Sequence, residues 1–364
     1  MILDRYFARR FFWTFAGVFG VFFLILAFIG LVEQLRRLSN FDASFADVLR
    51  LSALSLPEAL YGILPLVMII ATITLFLGLA RSSEMVVTRA AGRGALRAMV
   101  PPLIVALMIG IFAVAILNPI VAATSKQFEV QNDAIRGEGS VLSIGATGLW
   151  LRQGNEDSQT VIHAESANLN GTEMRDATFT TFSPDGVPTR QITAETAELQ
   201  EGEWVLTNVK SWPLVRNGVP EASATYHETL TVPSTLTPDQ IRDSFGTPSS
   251  IPIWDLPAFI QRLQKAGFSA QRHQVWFQME LALPLFLVSM VLIGAAFTLR
   301  HQRGGRTGLM VMLAIMLSFG IYFLRNFSQI LGENGQIPAV LAAWAPPLAA
   351  IGLAMGLLLH NEDG

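Results

Sequence analysis

The stretch Ser82 to Gly92, "SSEMVVTRAAG", interrupts two long apolar runs and sets a carboxylate, Glu84, ahead of a guanidinium, Arg89. Ser82 or Ser83 can serve as an N-cap, Glu84 suits the positive end of a helix dipole, and Gly92 is a natural stop. The pattern predicts a helix of about two turns. Met85, Val86 and Ala90 group on one side of it, so the helix could lie flat on a membrane or plug into a groove of a cytoplasmic partner. It could equally be a plain loop helix in which Glu84 only caps. Catalytic patterns are missing elsewhere. There is no G-x-x-x-x-G-K-[ST] phosphate loop and no H-E-x-x-H, and the histidines at 163, 227, 273, 301 and 360 are scattered. The reading is therefore a non-enzyme with no cofactor or metal of its own, and any active transport would draw its energy from a partner.

The composition says what must position this segment. Hydrophobic residues make up 51% of the 364 and charged residues only 15%, too apolar for a soluble domain and expected of an integral membrane protein. There is no cysteine, which permits an oxidising compartment without proving one. A net charge of -3 gives no nucleic-acid footprint. The arginines cluster beside apolar runs, where lipid headgroups and anionic ligands are their natural partners.

Apolar runs of spanning length lie at about Phe11 to Leu31, Leu60 to Ala80, Met99 to Ile120, Phe277 to Leu299, Thr307 to Leu324 and Pro338 to Leu359. Arg5, Arg9 and Arg10 precede the first. Arg81, Arg89, Arg93 and Arg97 separate the second and third, and Arg300, Arg303 and Arg306 the fourth and fifth. The positive-inside rule makes these segments cytoplasmic, with both termini inside and everything from about Val121 to Val275 outside.

From Val141 to Val232 the texture changes to alternating Thr, Val and Ile broken by "FSPDGVP", "QEGEW" and "VRNGVP", the signature of an all-β sandwich, jellyroll or short solenoid. "IHAESANL" from Ile162 and "ITAETAEL" from Ile192 echo one another; they are either a short repeat or two similar amphipathic strands. The inward positions could line a closed core or an open trough. "TPDQIRDSF" and "DLPAFIQRLQKAG" read as short helices leading back to the membrane. The expected fold is thus an α-helical membrane protein of six spans (3+3) with an inserted all-β, jellyroll-like domain. Its parts are an N-terminal membrane half (1–127), a β-domain (128–250) and a C-terminal membrane half (251–364).

"LDRYFARRF", "VEQLRRL", "SSEMVVTRAAG", "TGLWLR" and "LTPDQI", spread over nearly the whole chain, resemble the LptF/LptG permeases, the membrane subunits of the ABC transporter that extracts lipopolysaccharide from the inner membrane. The wording of "VEQLRRL" and "RAAG" is more similar to the LptG side of that family. The resemblance implies a Gram-negative inner-membrane location with the β-domain in the periplasm. It also implies an LptF-like paralogous permease, an LptB-like ATPase dimer using ATP and Mg, an LptC-like single-span protein and an LptA-like periplasmic bridge. Under it, Glu84, Met85, Val86 and Arg89 would couple to the ATPase, with Glu84 facing a basic residue there. Arg36 and Arg37, just beyond the outer end of span one, would grip the phosphates of lipopolysaccharide; the alternative is a snorkelling pair at the interface with membrane lipids. Glu58 and Gly30 stand where some relatives carry basic residues.

Small-xxx-small faces at Ala16/Gly20 and Gly352/Gly356 would allow close helix contact with a partner, and Glu280 must face protein, water or the interface. The rival from another class is a membrane scaffold or sensor whose β-domain binds a partner.

Overall fold

The computed structural model of the chain describes residues 2–39, 41, 44–82, 84–90, 94–136, 142–145, 148–154, 159–167, 172–200, 202–214, 220–234, 236, 247–265, 269–298 and 307–362. It divides into a helical unit (Met1–Ile135, Ser249–Leu256, Gln271–Gly364) and a β unit (Arg136–Pro248, Pro257–Ala270). The first boundary falls at Ile135 rather than residue 127 because the helix leaving span three continues that far. Expectations for Ser83, Gly92, Arg93, Arg300, His301, Arg303, Arg306 and the segment 237–246 lie outside the described residues.

The helical unit contains α1 (Ile2–Leu38), α2 (Phe45–Gly62), α3 (Leu64–Arg81), α4 (Glu84–Ala90), α5 (Ala95–Phe112), a π-helical segment (Ala113–Leu117), α6 (Asn118–Arg136), α8 (Gln271–Thr298), α9 (Thr307–Glu333) and α10 (Ala339–Glu362). Among the described residues, six helices are long and apolar enough to cross a membrane. Span two is preceded by a helix the sequence reading lacked. A capping box starts α2, with Ser44 Oγ accepting from Asp47 N and Asp47 Oδ2 accepting from Ser44 N. Ile63 separates it from α3, whose second position is Pro65.

α8 is the hub. Of its apolar window 72% is buried, against 6% for α1, so α1 turns most of its apolar surface outward. Phe7, Phe11 and Phe15 of α1, Val67, Met68 and Phe76 of α3, Phe286 and Met290 of α8, and Ala350 and Ala354 of α10 share one core. Glycine lets backbones meet there. A Cβ at Gly110 would lie 2.5 Å from Pro284 Cα, and one at Gly294 2.8 Å from Thr72 Cγ2. Thr72 and Ser289 bond their buried hydroxyls to their own helices, at Met68 O and Phe286 O, both at 2.7 Å.

The β unit is one antiparallel sheet of eight strands: β1 (Leu142–Gly145), β2 (Gly148–Gly154), β3 (Gln159–Ala164), β4 (Ser166–Ala167), β5 (Glu173–Phe182), β6 (Pro188–Gln200), β7 (Glu203–Pro213) and β8 (Thr225–Pro233), in order β1-β2-β3-β5-β6-β7-β8 with β4 beside β5. Helix α7 (Leu256–Lys265) follows. Buried Leu151, Ile162, Phe179, Ile192 and Ser211 form a cross-strand row, as the period of two requires. The echo at Ile162 and Ile192 is explained by this row, since both residues pair with Phe179 from opposite sides. The sheet curls until β2 meets the end of β8: Gln153 Nε2 donates to Pro233 O at 3.1 Å, and Gln153 Oε1 accepts from Ser234 Oγ and from the buried Trp204 Nε1. That curl gives the domain its jellyroll-like form.

Candidate functional site

The short helix after span two is real and brief, and its carboxylate is already engaged. Glu84 Oε2 accepts from Tyr6 Oη at 2.8 Å and from Arg10 Nη1 at 2.5 Å; Oε1 accepts from Arg10 Nη1 at 2.6 Å and Ser82 Oγ at 2.7 Å. Arg10 Nη1 also donates to Tyr6 Oη at 2.5 Å, with its guanidinium carbon 5.6 Å from the Tyr6 ring centroid. Tyr6 and Arg10 sit one turn apart on α1, so both reach the same carboxylate. Burial alone would raise the Glu84 carboxyl, but the donors Arg10, Ser82 and Tyr6 outweigh it and hold the group below the ordinary carboxylate value. Ser82 closes α3 with its backbone N–H, which donates to Gly78 O at 3.0 Å, while its hydroxyl bonds Glu84.

The apolar side of α4 is turned inward at Met85, which is 8% exposed and part of the protein's own core. This corrects the grouping of Met85 with Ala90 on one presented side. Ala90 is exposed, and so is Val87 at 68%. Thr88 is buried and donates to Glu84 O at 2.8 Å. The side chains of Val86 and Arg89 lie outside the described residues. The sequence marks Arg10 only as a charge that orients the first span and does not tie it or Tyr6 to Glu84, because nothing local links them.

Arg36 and Arg37 occupy the last turn of α1, which continues past the apolar run ending at Leu31. Their side chains are exposed, and Glu33 stands on the turn before. Arg37 Nε is 2.7 Å from Glu33 Oε1 and Arg36 Nη2 3.7 Å from Glu33 Oε2. The pair therefore carries a built-in countercharge at helical spacing. Glu58 accepts from Ser125 Oγ at 3.1 Å, and a Cβ at Gly30 would meet Ser52 Oγ at 3.4 Å. Gly20, Gly352 and Gly356 are exposed with nothing within 4 Å of an added Cβ, and Ala16 is half-buried. None of these three glycines is used for packing inside the chain.

The family model described as "Lipopolysaccharide export system permease LptF/LptG" matches residues 5–360. The chain belongs to the LptF/LptG permease family. It is 24% identical over 368 residues to the lipopolysaccharide export system permease protein LptG of Haemophilus influenzae, covering 99% of each chain. It is likewise 24% identical over 375 residues to the protein of that name from Escherichia coli K12, again with 99% of each covered. An LptF/LptG permease with six apolar helices is a multi-pass membrane protein. The contacts that sequence reading missed in it, Arg10 to Glu84 and Gly110 to Pro284, join segments distant in the chain and carry no local signal.

Proposed function

We propose that this chain is the LptG-type permease subunit of an exporter that lifts lipopolysaccharide out of the inner membrane, with α4 as the coupling element for a separate ATPase. The observation that carries the reading is the ion pair fastening α4 to α1: a displacement imposed on α4 is transmitted at once to the first span as well as to spans two and three, which flank it. Both termini and α4 are cytoplasmic and the β unit periplasmic, in keeping with the arginine distribution. The chain works beside an LptF-like paralogue and an LptB-like ATPase dimer that uses ATP and Mg, and hands its cargo to LptC-like and LptA-like partners. Arg36 and Arg37 offer planar donors to the phosphorylated sugars as they leave the span.

Affinity purification of the full chain tests the reading. A P-loop ATPase and a paralogous six-span chain should co-purify, and the reconstituted assembly should release lipopolysaccharide only with ATP. Recovery of the chain alone, or with a kinase or other regulator, would favour the scaffold. Because the chain lacks cysteine, single reporters give the orientation cleanly. Arg152→Cys should react with an impermeant thiol reagent from outside the inner membrane and Val87→Cys should not.

A further inference from the structure

Glu280 is an acid in a place where acids are costly. It lies in α8 and is 1% exposed, and a carboxylate inside a membrane span persists only with partners. Three other elements supply them. Tyr61, at the end of α2, donates its hydroxyl to Glu280 Oε2. Asn118, the first residue of α6, donates from Nδ2 to the same oxygen at 3.1 Å. Arg325 on α9, its guanidinium 5.2 Å from the Phe286 ring centroid, provides the nearby positive charge.

Asn118 faces two ways. Its Oδ1 accepts the backbone N–H of Ile253 at 2.9 Å. The amide is therefore fixed in one orientation, since only Oδ1 can accept from a peptide and only Nδ2 can donate to a carboxylate. Next door, Trp254 Nε1 donates to Ala115 O at 3.4 Å, a carbonyl within the π-helical segment. Such segments break the regular hydrogen-bond ladder and recur at functional positions. The chain returns to the helical unit through Ser249–Leu256, and this return segment is tied to span three where the ladder changes. At its other end span three begins at Gly94, shortly after α4.

We infer that Asn118 and Glu280 are positioning residues that fasten the return segment to span three and span three to α8, so that a displacement entering at α4 reaches the return segment instead of dissipating at the π turn. The inference rests on the permease reading for its consequence in transport, but not for the fastening itself. Asn118→Asp keeps an acceptor for Ile253 N–H while setting a second carboxylate against Glu280. Adding Glu280→Gln restores a donor between the two positions with the polarity reversed. Glu280→Gln alone still offers an oxygen to Tyr61 and Asn118.

In the intact complex in nanodiscs, with purified lipopolysaccharide as the probe, Asn118→Asp should speed amide exchange at Ile253 about tenfold and cut ATP-driven release about tenfold, because the bond to Glu280 is lost and the repelled carboxylate draws away from Ile253, the size expected for one buried hydrogen bond. ATP hydrolysis should stay within about twofold, and the double variant should recover exchange and release to within about threefold. Unchanged exchange at Ile253 in Asn118→Asp overturns the fastening, as does a double variant that recovers nothing, including recovery of accumulation should Asn118→Asp fail to accumulate. Altered exchange with unaltered release overturns the role in transport. Should the wild-type complex release nothing, the permease reading fails, and the exchange data still decide the fastening.

Discussion

Arg10 and Glu84, separated by 74 positions, form a two-pronged ion pair that joins the N-terminal part of α1 to the helix between spans two and three. The side chains are 31% and 33% exposed, so solvent screens the pair and its worth in folding is about 1 kcal/mol or less. Its value lies in geometry. A partner pushing on α4 also moves α1.

Charge reversal separates an internal role for Glu84 from a role across an interface. Glu84→Arg should leave the permease inserted yet weaken ATPase association or ATP-driven export. A desolvated interfacial charge pair would cost about 2 to 5 kcal/mol of docking when broken, far more than the internal pair. If Glu84 acts through Arg10, the swap Arg10→Glu with Glu84→Arg restores export; if it acts on the ATPase, only a compensating reversal there does. Normal export and ATPase binding in Glu84→Arg alone would remove this residue from coupling.

The depressed Glu84 carboxyl predicts an acid-labile tether. Its contribution is complete above the ordinary carboxyl value of 4.5 and is lost as pH falls through the lower folded value. A spin label on Val87→Cys should report an ordered α4 at pH 7 and a loosened one in that acid window. Glu84→Gln should abolish the pH dependence, and an identical acid transition in that variant would assign the loosening to another group.

How much of this was legible in the residues differs by scale. Six spans and an all-β insertion follow from run length and alternation, which are local properties. Helix α2 was missed although Ser44 and Asp47 announced it with a capping box, because its Ser, Pro and Glu content masks any apolar run. Glu280 stood out as a costly acid, yet its partners Tyr61 and Asn118 are 219 and 162 positions away, and no local pattern encodes such pairings. Met85 was read from helical spacing alone, which fixes a face but not whether that face turns inward.

The arginines at the end of α1 come with a countercharge, which sharpens their test. Replacing Arg36 and Arg37 by Ala should reduce lipopolysaccharide crosslinking and export with assembly intact, since exposed charges contribute little to stability. Lys at both positions should be milder than Ala but short of wild type, the planar fork being lost. Glu33→Gln should free both guanidiniums and strengthen crosslinking. A Glu33→Gln variant with weaker crosslinking would show that the ion pairs orient the arginines productively.

Glycines separate internal packing from contacts with other subunits. Gly110→Val drives a side chain into the Pro284 backbone and should destabilise the bundle by at least about 1 to 3 kcal/mol, seen as lost accumulation or a lowered Tm in detergent. Gly352→Val meets nothing among the described residues, so the isolated subunit should keep its Tm. A defect of Gly352→Val confined to assembly with the paralogue would place α10 at a subunit contact, and normal assembly would exclude it.

The helix from Leu96 to Asn132 runs 37 residues, about 55 Å at 1.5 Å per residue, against roughly 30 Å of hydrocarbon. One rod thus works in two solvents, and its outer stretch bears Lys126, Gln127, Glu129 and Gln131. Under the permease reading, the π turn would act as a fulcrum and the rod as an oar. Tilting an arm of about 25 Å through roughly ten degrees sweeps its tip by about 4 Å, close to the spacing of neighbouring strands in a sheet. Under that reading, a modest rocking at one end of the rod would emerge at the other as a stroke large enough to shift one row of side chains past the next.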